Sequence, residues 1–480
     1  MRNGVPSYAR SALCLFHSAL LCACFSGCAL QHYEPAPLDP AAAAQAFDAR
    51  AVDAPGLKDY FVAHGHPAAE WPVQRWDLDA LTLLAFYFRP DLELARAQAK
   101  AARADVAVAT QRPPIGITPL FQHHSLTPPE QPSPWSLGFG VEIPLVSGTR
   151  REATGARYGY LADAADLQVG SVAWTVRSEV RLKLLDYYLA GGTAALLGAE
   201  LEQRRRLVSL LERRLDAGAV SRIDVSNARL AQAEIEARIQ AAQLAQVRSR
   251  AALAQALGLP LVAMQAMSFD FAAFEQTPMP GDAGIQRAAL LNRLDVRAKL
   301  LEYSAADAAV KLEIARQYPS FTISPAYLWD QNDNIWSIAA TVLLPAGGNK
   351  PAIGAAQARR EVAAREFLSL QNRVISEAEG AQARYRQAVD GASGSRRVVQ
   401  LSAARDQDTK KQFDAGYADR VELTLTQIET LTAQRNALAV AAEAQRALGA
   451  LEDALQTPLT GGPLPGWNGN SAPAPGLAAQ

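Results

Sequence analysis

The chain carries one plan twice. Asp91 aligns with Asp295, Trp135 with Trp336, Pro144 with Pro345, Gly218 with Gly416 and Leu257 with Leu455. The offsets are 204, 201, 201, 198 and 198, so a few loop residues account for all the drift. Each half reads helix, strand, strand, long helix, tip, helix. A length of 480 residues alone points to two or three domains, whereas the repeat predicts a single duplicated unit.

The strand pairs are the unusual part. In Trp135–Leu145 the odd positions Trp135, Leu137, Phe139, Val141, Ile143 and Leu145 are all apolar. The even positions Ser136, Gly138, Gly140, Glu142 and Pro144 are small, polar or bent. This is the period of a two-faced strand. A soluble sheet packed on one face shows the same alternation, and so does a barrel strand facing lipid behind an interfacial aromatic. Ile335–Ala346 repeats the Trp-Ser start and the apolar-Pro end, with Trp336, Ile338, Val342 and Leu344 on one face. Each twin follows another alternating run, Ile115–Phe121 and Phe321–Trp329. Two hairpins and four strands are predicted.

The remainder is helical. No proline occurs between Pro144 and Pro260 or between Pro351 and Pro458, and Ala, Leu, Arg and Glu fill both stretches. A central proline costs about 3 kcal/mol, so its absence marks very long helices. From about Arg150 to Leu215 one helix would run roughly 100 Å at 1.5 Å per residue. Gly191-Gly192, and Gly391 with Gly394, predict a bend or local unwinding near the middle of each long helix. Both stretches break at Asp216-Ala217-Gly218 and Asp414-Ala415-Gly416, where glycine suits a left-handed helix end. Ser221 with Asp224, and Asp419 with Glu422, then resemble capping boxes. Each stretch is therefore a helical hairpin with a tight tip. Pro90 is expected in the first turn of a helix from Asp91.

The N-terminus reads as an export signal over residues 1–27. Arg2 and Arg10 precede an apolar segment from Ala12 to Phe25 that is too short to span a bilayer as a helix. Phe25-Ser26-Gly27-Cys28 resembles a bacterial lipobox, with Phe25 departing from its usual Leu; Cys28 would be lipidated (palmitate among the acyl groups) and become the first mature residue. The bland alternative is an ordinary signal peptide ending near a cysteine. Cys14, Cys22 and Cys24 lie in the part removed, so the mature chain has no internal disulfide. Residues 28–76 read as a linker, 77–260 as the first repeat, 261–458 as the second, and 459–480 as a disordered Gly- and Pro-rich tail. No apolar run of about 18 residues follows the signal, so strands must make any membrane crossing.

Four strands cannot close a membrane barrel, whose smallest form has eight. Two copies give eight strands and a filled interior; three give twelve and an open lumen, continued by the helices. The expected fold is mainly α with a small transmembrane β part, a trimeric α/β-barrel channel-tunnel. A net charge of -1 gives no hint of nucleic-acid binding.

Arg89-Pro90-Asp91-Leu92, the Trp-to-Pro strands, the Asp-Ala-Gly tips followed by Arg-Ile-Asp-Val and Arg-Val-Glu-Leu, and Leu257-Gly258-Leu259-Pro260 together resemble the TolC-like outer-membrane efflux protein family, in its lipoprotein branch. The resemblance runs from about Trp76 to Pro458. It implies a homotrimer in the outer membrane whose coiled-coil helices reach into the periplasm. It also implies docking onto a periplasmic adaptor and an inner-membrane pump, the RND type among them. The tips Asp216, Ala217, Gly218, Ser221, Asp414, Ala415, Gly416 and Asp419 would meet the adaptor. Glu422 falls at an acidic gate position, with Asp224 its repeat counterpart; a second acidic position is Leu425 here. Capping alone also explains Asp224 and Glu422.

His64-Gly65-His66 and His123-His124 bring metal-ligating imidazoles, but in linker or loop and without a cysteine or sustained acidic cluster. All six histidines lie at or before position 124, and no nucleophile motif or phosphate loop occurs. No enzyme, cofactor or metal site is expected. Two other readings compete with an efflux channel: a type I protein-secretion channel, and a periplasmic coiled-coil adaptor lipoprotein. An adaptor normally has one hairpin between soluble β-domains, which leaves the paired strands unexplained. Drugs, metal ions and polypeptides all remain candidate cargo.

Overall fold

The computed structural model describes residues 32–67, 70–125, 133–278, 284–330, 333–344 and 346–460. Cys28, the signal segment, Pro345 and the tail from 461 lie outside the described residues. Residues up to Ala49 form a unit of their own. It holds helix α1, Pro40–Asp48, whose first amides are capped by Asp39.

From Arg50 the order follows the duplication. α2 is Pro55–Ala63, α3 Leu78–Phe88, α4 Pro90–Thr110, β1 Gly116–His123, β2 Trp135–Leu145, α5 Gly148–Asp216 and α6 Arg222–Leu257. The second half repeats it with α7 Ile285–Asn292, α8 Leu294–Ala315, β3 Ser320–Asp330, β4 Asp333–Leu343, α9 Lys350–Asp414 and α10 Arg420–Leu455. Pro90 opens α4, as its fixed φ and missing N–H favour.

The segment read as a linker is partly structured. α2 sends Leu57 and Phe61 into the largest apolar cluster, with Trp76, Leu81 and Leu84 around them and Val180 and Leu184 of α5 beneath. Trp76 also pairs its backbone with Ser268 and Asp270. Short length and abundant Ala and Pro hid these apolar anchors.

α5 has 69 residues and α9 has 65, both helical throughout. The expected unwinding at Gly191-Gly192 and at Gly391 and Gly394 does not occur. Instead, a Cβ at Gly192 would stand 2.7 Å from the Leu438 side chain, so this glycine permits close helix packing. α4 and α6 pack on one flank of α5, α8 and α10 on the other, and α9 packs on α8 and α10. α4/α6 and α9 are thus the two edges of a helical wall.

The four strands form one antiparallel sheet in chain order, leaving β1 and β4 as edges. Register places the apolar positions side by side: Phe121 against Leu137, Leu137 against Trp329, Phe139 against Tyr327, and Tyr327 against Trp336. The opposite face carries Thr118, Gly140, Ala326 and Ser337 in one row. Phe121, Phe139, Trp336 and Ile338 are exposed in the single chain. Among the described residues, no helix is long and apolar enough to cross a membrane.

Candidate functional site

The two hairpin tips follow the sequence expectation at their glycines. Gly218 has φ 75° and Gly416 φ 82°, and a Cβ at either would meet nothing within 4 Å. The glycines are there for the left-handed turn alone. Gly218 N donates to Leu215 O and Ala219 N to Arg214 O; Gly416 N and Tyr417 N donate to Phe413 O and Gln412 O. Asp216, Ala217, Gly218, Ser221, Asp414, Ala415, Gly416 and Asp419 are all exposed.

The caps differ between the repeats. Ser221 and Asp224 make a reciprocal box: Asp224 N donates to Ser221 Oγ at 3.2 Å, and Ser221 N donates to Asp224 Oδ2 at 2.9 Å. The Ser221 hydroxyl, and then its amide, hold the Asp224 carboxyl below its ordinary range. At the second tip the expected box is a one-way cap. Asp419 Oδ1 accepts both Val421 N and Glu422 N, which leaves Glu422 outside the cap. The other carboxylate oxygen of Asp419 takes Arg214 of the first hairpin at 2.9 Å. That cation, then the Glu422 amide, lowers the Asp419 pKa. Asp224 and Glu422 are exposed, as is Leu425.

Beside this tie α5, the end of α9 and α10 leave a groove of about 480 Å³ lined by Arg205, Arg206, Arg213 and Arg420 over Phe413 and Leu423. Arg420 stands over the Phe413 ring at 5.2 Å. The exposed Tyr417 closes the tip.

Farther along the wall, α5 and α10 share a buried polar junction that the repeat reading missed. Arg177, Arg181 and Glu452 are all nearly inaccessible. Glu452 Oε2 lies 3.3 Å from Arg177 and 3.4 Å from Arg181. Its Oε1 accepts the amides of Leu459 and Thr460, which pins the chain's exit from α10. Gln445 donates to Phe274 O and Gln276 O, and Tyr385 to Pro278 O, so the inter-repeat segment is held at the same place. Burial pushes Tyr385 up to about 12 and Arg181 down. Burial also raises Asp453, which accepts from Trp174 Nε1 at 2.9 Å. Nothing in the local sequence marks these charges, because Arg and Glu recur along both helices.

A matched clasp closes each repeat. Arg89 holds Asp91 and Glu179, and Arg293 holds Asp295 and Glu377. The Arg-x-Asp spacing common to both halves carries it.

His64 and His124 have structural partners. His64 Nδ1 lies 2.7 Å from Tyr60 O, and His124 Nε2 lies 2.8 Å from Ser136 Oγ. No group of three or more His, Cys, Asp or Glu that could hold a metal ion occurs among the described residues.

Residues 85–259 match the family described as outer membrane efflux protein. No curated protein sequence matches the chain. Among solved structures, the outer-membrane channel OprN is 19% identical with a TM-score of 0.65, covering 89% of this chain and 99% of that one. The outer membrane protein VceC of Vibrio cholerae is 19% identical with a TM-score of 0.63, covering 79% and 95%. The MtrE outer membrane channel of Neisseria gonorrhoeae, solved in its open state, is 17% identical with a TM-score of 0.64, covering 79% and 88%. At these identities the likeness is one of fold. The efflux-protein match thus spans most of the first repeat, and the fold of these outer-membrane channels extends over both.

Proposed function

We propose that three copies of this chain close into a channel across the outer membrane, the exit duct of a tripartite efflux system. Repeat equivalence supports the closure. Within the chain α5 packs on α10; their counterparts, α9 and α6, are the two edges. Exposed Leu230 and Leu244 on α6 correspond, 198 residues on, to buried Ile428 and Ala442 on α10. Exposed Val362 and Val398 on α9 correspond to buried Ala164 and Glu200 on α5. The edges carry apolar residues at the places that a neighbouring helix covers inside the chain. Setting α9 of one copy against α6 of the next also brings the open edges β4 and β1 together. Three copies supply twelve strands and a lumen.

One face of α5 presents Ala173, Val176, Val180 and Leu184 to the apolar cluster built on α2 and α3. Thr175, Leu182 and Asp186 lie on the other side at helical spacing and line open grooves. Closure with that bare side inward leaves the passage clear. The tips are then the periplasmic entrance, where Asp216–Gly218, Ser221, Asp414–Gly416 and Asp419 receive an adaptor working with an inner-membrane pump. Asp224 and Glu422 are candidates to ring the opening. Cys28 anchors the mature N-terminus by acylation; Cys28→Ser should abolish acyl labelling, and a mature chain starting elsewhere would remove the anchor.

Reconstitution of the purified mature chain into planar bilayers tests the reading. Stepwise ion conductance from a trimeric particle is expected. A monomer that conducts nothing and leaves the outer-membrane fraction with salt would overturn it.

A further inference from the structure

The same repeat equivalence locates a site that no single copy completes. It rests on the trimeric closure above. Inside the chain the α5–α10 contact is rich in opposite charges: Arg446 with Asp186 at 3.0 Å, Arg435 with Glu200 at 3.1 Å, and Arg214 with Asp419 at 2.9 Å. Moving 198 residues along on α5 and back on α10 gives the α9–α6 contact between copies. Glu200 and Arg435 become Val398 and Ala237; Arg214 and Asp419 become Gln412 and Ser221. Those pairs lose their charge altogether. Asp186 and Arg446 instead become Arg384 and Arg248, two cations facing each other.

Among the described residues, the surroundings do not neutralise them. Arg446 has a second acid, Glu443 at 3.4 Å, whose counterpart beside Arg248 is Ala245. Arg248 lines the groove between α5 and α6 near Asp186, but that carboxylate is held by Arg446. On α9, Glu379 is bonded to Gln286 and Glu377 to Arg293, while Asp390 lies more than a turn beyond Arg384. Arg248 and Arg384 are both exposed in the single chain. Asp186, the counterpart of Arg384, is on the bare side of α5, so the two arginines meet on the lumen wall.

We propose that Arg384 of each copy and Arg248 of the next form an anion-binding ring in the duct, one arginine pair at every seam. A guanidinium pair offers two planar donor forks, which suit a carboxylate or phosphate group bound between them. The ligand class is an oxyanion, either free or carried on a passing solute.

Two measurements test this. Oxidation of the R248C/R384C chain should give covalent dimers and trimers on denaturing gels, and neither single variant should do so. In planar bilayers tripolyphosphate should reduce wild-type conductance, and R384A and R248A should each need at least ten-fold more. Trimers that conduct but show no cross-link, or equal block in all three proteins, would overturn the ring while leaving the channel intact. If no conducting trimer forms, the channel reading fails and the ring falls with it.

Discussion

Arg214, two residues before the end of α5, reaches the carboxylate of Asp419 at the start of α10 at 2.9 Å. This contact ties the first hairpin tip to the second within one copy, whereas the equivalent positions Gln412 and Ser221 carry no charge. In the proposed trimer the two hairpins of one copy should therefore move together, with the uncharged contact lying between copies. Both partners are substantially exposed, so a double-mutant cycle with Arg214→Ala and Asp419→Asn should return roughly 0.2–1 kcal/mol. Asp419 has its pKa lowered by Arg214 and the helix amides. Its stabilisation is complete above the unfolded carboxylate range and is lost as pH falls through the lower folded value. Distances between labels at Asp216 and Asp414 should hold from neutral pH down to about pH 4 and lengthen only below it. Lengthening between pH 8 and 6 would exclude the carboxylate as the cause.

The tip glycines make a sharper test of the entrance. A Cβ at Gly218 or Gly416 would meet nothing within 4 Å, so the positive φ is what opposes valine there. The strain should be roughly 1–2 kcal/mol, and Gly218→Asn should cost less. Trimer assembly is expected to survive, with adaptor binding and export impaired in the valine variants. A binding assay with the cognate adaptor checks this.

Glu452 and Asp453 are neighbours with opposite expectations. Glu452→Ala would leave Arg177 and Arg181 buried without their partner, a loss on the order of 3–5 kcal/mol. Asp453 has a raised pKa because burial disfavours its charge. Its ionisation subtracts from stability as pH rises past the unfolded carboxylate value. Asp453→Asn keeps an acceptor for Trp174 and should be neutral or stabilising at pH 7 and indifferent at pH 3. Thermal unfolding at the two pH values separates the cases.

The bilayer face is testable on the edge strand. Ile338→Arg should destabilise insertion by about 2–4 kcal/mol if mid-membrane, and Thr341→Arg on the other face by much less. Gly138 is a poor control because a Cβ there would stand 2.3 Å from Tyr327 O. Equal tolerance at Ile338 and Thr341 would mean that the alternation does not report lipid.

Much of this fold was legible because its signals are periodic and doubled. Trp135 and Trp336 lie on matching strands, β2 and β4, and Gly218 and Gly416 both take the left-handed turn. The glycines inside the long helices misled, since Gly192 answers to Leu438 on another helix and not to its own backbone. Buried charge was also unreadable: Arg177 and Glu452 are 275 residues apart, and nothing local marks them as partners. The tip cap at Glu422 failed because Asp419 can take both amides and Arg214 at once.

In the proposed trimer the open edges of one copy are closed by the next, three times. Native mass spectrometry of the detergent-extracted mature chain measures this directly. One dominant species of three protomers is expected, which loses its integrity when Val398 on α9 and Leu230 on α6 are both changed to Glu. A dominant monomer or dimer, or a trimer unaffected by those charges, would contradict it.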